Sequence, residues 1–194
     1  VRSHFGNWLP NMRPKQDYKK AYSASKTKSG GIVLDCIHEI DYLSYLFGKI
    51  KEVTLLKKKM SNLPINVEDF ATMIIKHKNG VISELHLDYL RPIKMRGCEI
   101  VGTDGSIIWE SVGKSPEKCL VKYCRRNSKN YKNLFFDDDL DINSCYEKLA
   151  KEFTFSFKNN RNDNLLSADD AISQILLIKK CKNLDAKIYE NIKK

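Results

Sequence analysis

D-F-A-T-M-I-I-K-H-K-N-G-V-I-S-E-L-H-L-D-Y, residues 69 to 89, reads as two strands and the turn between them. Asp69 to His77 and Val81 to Tyr89 are rich in β-branched and apolar residues at a period near two. Lys78-Asn79-Gly80 joins them with the Asn-Gly pair that tight hairpins favour, because the central residues of the matching turn take positive φ. On the second strand Val81, Ser83, Leu85, Leu87 and Tyr89 share one face, and Ile82, Glu84, His86 and Asp88 share the other.

Working outward, Val53 to Met60, Cys98 to Gly102, Ser106 to Glu110 and Cys119 to Tyr123 carry similar strand signals, with an Asp-Gly turn in Thr103-Asp104-Gly105. The expected fold is α/β (α+β): an open-faced, mainly antiparallel sheet of at least five strands with helices on one side. Val1 to Leu9 reads as a short strand, Pro10 and Pro14 impose an irregular connection, and a short helix is expected over Lys15 to Ser25. Tyr146 to Phe157 and Ser167 to Leu184 return to helical spacing, the second with Ser167 at the N-cap and Asp169 and Asp170 in its first turn. Arg125 to Asp141 is polar, and its Asp137-Asp138-Asp139 cluster reads as a solvated loop, since nothing nearby completes an oxygen set for a metal. No linker divides residues 1–194, so a single domain is expected.

Composition narrows the partners. The net charge is +10, but only 7 of the 34 basic residues are Arg, and the lysines are scattered. Bidentate reading of phosphates and bases favours Arg, so no nucleic acid is expected. No apolar run reaches the roughly 18 residues of a membrane span. The six cysteines form no C-x-x-C pair and no zinc-like cluster, which points to a reduced, cytoplasmic protein without a metal. The first residue is Val rather than Met, so the numbering is read as starting on a chain already cut.

Ile32 to Phe47, between Gly30-Gly31 and Gly48, is read as one sixteen-residue helix with a nearly all-apolar circumference. Such a helix should be buried, which makes its charged residues informative. Asp35 and His38, at i and i+3, fall in one sector with Tyr42 a turn further on. One reading has Asp35 orienting His38 for proton exchange with a substrate hydroxyl, a task suited to an imidazole that titrates near neutrality. The other is a satisfied ion pair near a helix start. Glu39 and Asp41 read as partly exposed or hydrogen-bonded structural groups.

S-G-G-I-V-L-D-C-I-H-E-I-D-Y-L-S-Y-L-F-G, Ser29 to Gly48, resembles the start of the main helix in the second domain of the glucose-fructose oxidoreductase / inositol dehydrogenase (Gfo/Idh/MocA) family. Phe5 to Ala24, Val67 to Gly80 and Glu99 to Glu110 are similar to the preceding loop and to strands and turns of that domain; the likeness covers about residues 1 to 112 well and the tail loosely. The resemblance implies an N-terminal Rossmann unit for NAD or NADP and a C-terminal substrate-binding domain, of which only the second is expected here. No G-x-G-x-x-G fingerprint and no Lys-Pro pair occurs in the sequence.

By the same resemblance His38 matches the catalytic histidine and Asp35 the aspartate before it, although many members space these as D-x-x-x-H and here two residues intervene. Arg13, Asp17 and Tyr18 match the loop near the sugar-binding mouth, with Trp8 as a stacking wall. The implied function is the substrate-binding part of an NAD(P)-dependent oxidoreductase for a sugar, sugar nucleotide or cyclic polyol. On this reading the 194 residues alone are inactive and bind nicotinamide cofactors poorly. The alternative is a catalytically silent binding or dimerisation domain of the same fold. One sheet face is expected to be apolar and covered by a second copy in a homodimer or larger assembly, and Asp35 and His38 to lie together at the mouth of a pocket.

Overall fold

A computed structural model describes residues 1–113, 117–159 and 167–182, apart from the side chains of Lys180 and Lys182. Its eight strands are β1 (Arg2–Gly6), β2 (Ile50–Lys58), β3 (Phe70–His77), β4 (Ile82–Asp88), β5 (Met95–Val101), β6 (Gly105–Val112), β7 (Glu117–Arg125) and β8 (Lys132–Leu140). They form one sheet in the order β2-β3-β4-β1-β5-β6-β7-β8. Every neighbouring pair is antiparallel except β1 and β4, which run parallel with His4 opposite His86. The helices are α1 (Leu9–Met12), α2 (Ile32–Asp35), α3 (Ile37–Phe47), α4 (Ile142–Asn159) and α5 (Ala168–Lys182).

The hairpin read from residues 69 to 89 forms as its alternation implies. Gly80 takes φ +91°, and the turn is closed by His77 N–H on Val81 O at 2.8 Å. Ala71, Met73 and Ile75 of β3 and Leu85, Leu87 and Tyr89 after them turn to one side, where Ile32, Val33, Ile40, Leu43 and Ile178 of the helices cover them. Removing each of the larger aliphatic side chains from water contributes about 1.5–3 kcal/mol. Buried His77 ties the hairpin to the end of α3: Nδ1 donates to Gly48 O at 2.7 Å, leaving Nε2 to accept from Ser83 Oγ at 2.9 Å.

The apolar face of β4 is thus covered by the chain's own helices and not by a second copy. The open face carries the mixed set Arg2, His4, Glu84, His86 and Asp88, with Ile74 and Ile82 among its exposed apolar residues.

Three local expectations change. The helix expected over Lys15 to Ser25 is replaced by single 3₁₀ turns at Tyr18–Lys20, Tyr22–Ala24 and Lys26–Lys28, because short side-chain and tertiary bonds take over where helix propensity is weak. The loop expected over Arg125 to Asp141 contains β8, which pairs along β7, so backbone pairing with an available sheet edge overrides polar composition. The helix expected over Ile32 to Phe47 breaks at Cys36, whose φ −108° and ψ 30° leave the helical region. In the tail, Ser167 caps α5 through Asp170 N–H at 3.1 Å as expected, while residues 183 and 184 lie outside the described residues.

Candidate active site

Asp35 ends α2, and its side chain is only 3% exposed. Tyr89 donates to Oδ2 at 2.7 Å, Tyr22 donates to Oδ1, and Arg13 Nη2 lies 3.7 Å from Oδ1. Arg13 also donates to Ser23 Oγ at 2.8 Å and to Tyr22 Oη at 3.0 Å, with its guanidinium over the Tyr22 ring. Burial, reinforced by the Asp35 carboxylate, pushes both phenols up, so each is a donor at neutral pH. Burial works against the Arg13 cation, but Tyr22 and Asp35 outweigh it and raise its pKa. The cluster is a clamp: it holds the segment of 3₁₀ turns against α2 and β4.

His38 stands in the first turn of α3, and the break at Cys36 separates it from Asp35. Its side chain is 51% exposed, with Phe5 edge-on and Nε2 3.2 Å from Glu39 Oε1. No hydrogen bond or ion pair joins Asp35 to His38 among the described residues. The expected pair is therefore two separate features, a buried carboxylate committed to Tyr22, Tyr89 and Arg13 and a half-exposed imidazole beside a different acid.

That acid, Glu39, is fully buried and not partly exposed as its composition suggested. Arg96 Nε from β5 lies 2.7 Å from Glu39 Oε1. The contact has ion-pair distance without hydrogen-bond direction, and neither Glu39 oxygen nor Arg96 Nε has a well-aligned partner. Arg96 also lies over the rings of Tyr42 and Trp109, which meet edge to face. Tyr42 is hydrogen-bonded to Ser3, and burial pushes its phenol far up. The sequence carried one signal for Glu39: it stands three residues after buried Cys36 and four before buried Leu43, on the core side of the helix.

The other expected site residues lie in the N-terminal segment between β1 and the second 3₁₀ turn. Trp8 is partly buried and precedes α1; Tyr18 packs partly buried against the core. Asp17 is exposed and spends its carboxylate on Lys19 N at 3.0 Å, capping the 3₁₀ turn. Of these expected residues, Arg13 is brought into contact with Asp35.

The Gly30-Gly31 turn does not form a phosphate cradle. Gly30-Gly31 precedes a helix, as phosphate loops do, but α2 has four residues and its Ile32 N–H is already bonded to Glu68 O at 3.1 Å. A Cβ on Gly31 would lie 2.5 Å from the Glu68 carboxylate, so an anion occupies the place a phosphate would need. Among the described residues no group of three or more His, Cys, Asp or Glu is placed to hold a metal ion, and no helix is long and apolar enough to cross a membrane.

The chain thus presents an open, mainly antiparallel sheet with a half-exposed histidine, His38, beside buried Glu39 and its partner Arg96 on its helix side. The sequence profile of the GFO/IDH/MocA C-terminal domain matches residues 1–108, more than half of the chain, and the chain belongs to that family. Its fold is shared by levoglucosan dehydrogenase solved with NADH and levoglucosan, at 15% identity and a TM-score of 0.70 over 95% of this chain and 56% of that one. An Agrobacterium radiobacter oxidoreductase solved with NAD⁺, L-tartaric acid and magnesium matches at 16% identity and 0.64, over 96% and 55%. An oxidoreductase from Thermotoga maritima matches at 19% and 0.62, over 93% and 50%. The chain spans about half the length of these solved relatives. Comparison with curated proteins gives no match.

Proposed function

We propose that this chain is the substrate-binding part of an NAD(P)-dependent oxidoreductase acting on a sugar, sugar nucleotide or cyclic polyol, with His38 exchanging a proton with the substrate hydroxyl. The observation that carries the reading is the exposure of His38 in a domain of this family, with buried Glu39 at Nε2 and no hydrogen-bond partner on Nδ1 among the described residues. A relative solved with levoglucosan and with L-sorbose supports the substrate class. Asp35 serves this site by holding Arg13 and Tyr22, and with them the loop that carries Asp17, Tyr18 and Trp8, at the mouth. A nicotinamide cofactor would supply the redox chemistry, and this chain's residues do not cradle it. The open sheet face, with Ile74 and Ile82 exposed, is read as a contact between copies in a homodimer or larger assembly.

The test is a panel of sugars, sugar nucleotides and cyclic polyols with NAD⁺ and NADP⁺, followed by nicotinamide absorbance. The complete gene product is expected to turn over at least one compound and the 194 residues none. Calorimetry of the 194 residues with NADH and NADPH is expected to show no tight binding. Saturable sugar binding with no turnover of any compound by the complete gene product would favour the silent binding domain instead.

A further inference from the structure

Glu39 is fully buried, yet neither of its carboxylate oxygens accepts a well-directed hydrogen bond. A native buried carboxylate in that state needs a reason, because unpaired it costs several kcal/mol. Arg96 supplies the neutralising charge at 2.7 Å and is itself held over the faces of Tyr42 and Trp109. On its outer side the same Oε1 lies 3.2 Å from His38 Nε2, and Phe5 closes the flank of the imidazole edge-on. Of the three carboxylates within three residues of His38 in sequence, Asp35 has both oxygens engaged by tyrosine hydroxyls and Asp41 accepts from Gln174 at 2.8 Å, while neither oxygen of Glu39 accepts a well-directed hydrogen bond.

We propose that Glu39 is a positioning residue for His38: locked by Arg96, it keeps the imidazole proton on Nε2 and presents Nδ1 as the atom that meets the substrate hydroxyl. The inference rests on the reading of His38 as the proton-exchanging group. An imidazole that works through one nitrogen must be held through the other, and the partner of the held nitrogen decides the tautomer. A carboxylate at Nε2 favours N–H there and stabilises the cation formed as the hydroxyl O–H bond breaks and the Nδ1–H bond forms. The electron pair of the broken bond stays on the substrate oxygen. Arg96 keeps the Glu39 charge in place while this happens.

Ring-nitrogen NMR of the 194-residue chain reads the tautomer directly and needs no turnover, so its outcome is separate from whether the proposed reaction occurs. Neutral His38 is expected as a single Nε2–H form. Glu39→Gln should weaken that preference, and the double variant Glu39→Leu/Arg96→Met, which removes both charges without leaving either buried alone, should abolish it. Asp35→Asn should leave it in place. A wild-type chain with a mixed or Nδ1–H tautomer, survival of the Nε2–H form in the double variant, or its loss in Asp35→Asn would each overturn the proposal. In the active full-length protein Glu39→Gln should lower kcat about tenfold or more with KM nearly unchanged. If the tautomer follows Glu39 but His38→Ala keeps full turnover, the assignment of His38 fails and the positioning contact stands.

Discussion

Tyr89 donates its hydroxyl to Asp35 Oδ2 at 2.7 Å, joining the residue after β4 to the last residue of α2 across 54 positions of sequence. Tyr89 is fully buried, whereas Tyr22, on the other oxygen, is exposed. The inner bond should therefore contribute more. Tyr89→Phe is expected to cost about 1–2 kcal/mol and Tyr22→Phe less, while Asp35→Asn, which weakens both bonds and removes the countercharge of Arg13, should cost about 1–3 kcal/mol. Urea midpoints at constant slope give the comparison, and a larger loss for Tyr22→Phe than for Tyr89→Phe would show that the exposed bond is the anchor.

His38 behaves differently because half of its side chain faces water and, among the described residues, its one polar contact with the core is the 3.2 Å approach to Glu39. His38→Ala is expected to change stability by less than about 1 kcal/mol, in the range of surface substitutions. In the complete enzyme the same change should lower turnover by about 10²–10⁴-fold, the scale for loss of a general acid or base. Unfolding curves and steady-state kinetics on one preparation separate the two effects. Unimpaired turnover would remove His38 from the reaction.

The hairpin from Asp69 to Tyr89 was legible because alternation and an Asn-Gly turn are local signals, and local geometry honours them. The place of β1 was not: it runs parallel to β4 and antiparallel to β5, a long-range choice that nothing within Arg2–Gly6 encodes. β8 was hidden by Asp137-Asp138-Asp139, which looks like loop until β7 offers its edge. At the site, Asp35 and His38 were visible as charges on an apolar helix, but their grouping was not. No Gly or Pro marks the break at Cys36, and with that break the i, i+3 spacing of Asp35 and His38 ceases to make them neighbours. Arg96, supplied from a different strand, could not be joined to Glu39 from spacing alone.

The cysteines offer an independent check on burial. Cys36, Cys98, Cys119 and Cys181 are buried, Cys124 is partly covered and Cys145 on α4 is exposed; among the described residues none is in a disulfide. Burial pushes the Cys98 thiol up to about 11 and Cys36 well above its ordinary value, so neither presents thiolate at neutral pH. Brief alkylation of the native chain should modify Cys145 first and Cys124 more slowly, with the other four reacting only after denaturation. Peptide mass spectrometry reads this, and early labelling of Cys36 would mean that the α2–α3 junction opens.

The open sheet face should be felt in the pH dependence of stability, through His4 and Asp88. His4 lies opposite His86 on the parallel strand, and Gly97 leaves it room, since a Cβ there would stand 3.0 Å from the His4 ring. Burial, then Arg91 and His86, hold its pKa below the ordinary value, against the weaker pull of Glu39 and Glu110. Asp88 accepts from His86 at 2.8 Å, from Leu90 N at 2.9 Å and from Arg91 Nε at 3.1 Å. Burial pushes its carboxyl up, but these bonds outweigh it and hold it below the ordinary value. The two groups act in different windows. Below the ordinary histidine value of about 6.5, unfolded His4 takes a proton that folded His4 resists, so stability falls with pH until the folded imidazole is also protonated. The contribution of Asp88 is complete above the ordinary carboxylate value of about 3.9 and is lost only as pH falls further, through its lowered folded value. Replacing His4 by Gln removes the first titration and leaves the second. Urea unfolding from about pH 8 to pH 4 should then show a shallower mildly acid decline for His4→Gln than for wild type, at about 1.4 kcal/mol for each unit by which the folded and unfolded values differ. Equal slopes would mean that folded His4 accepts its proton as readily as the unfolded chain does, and that the open face is wetter around it than this packing implies.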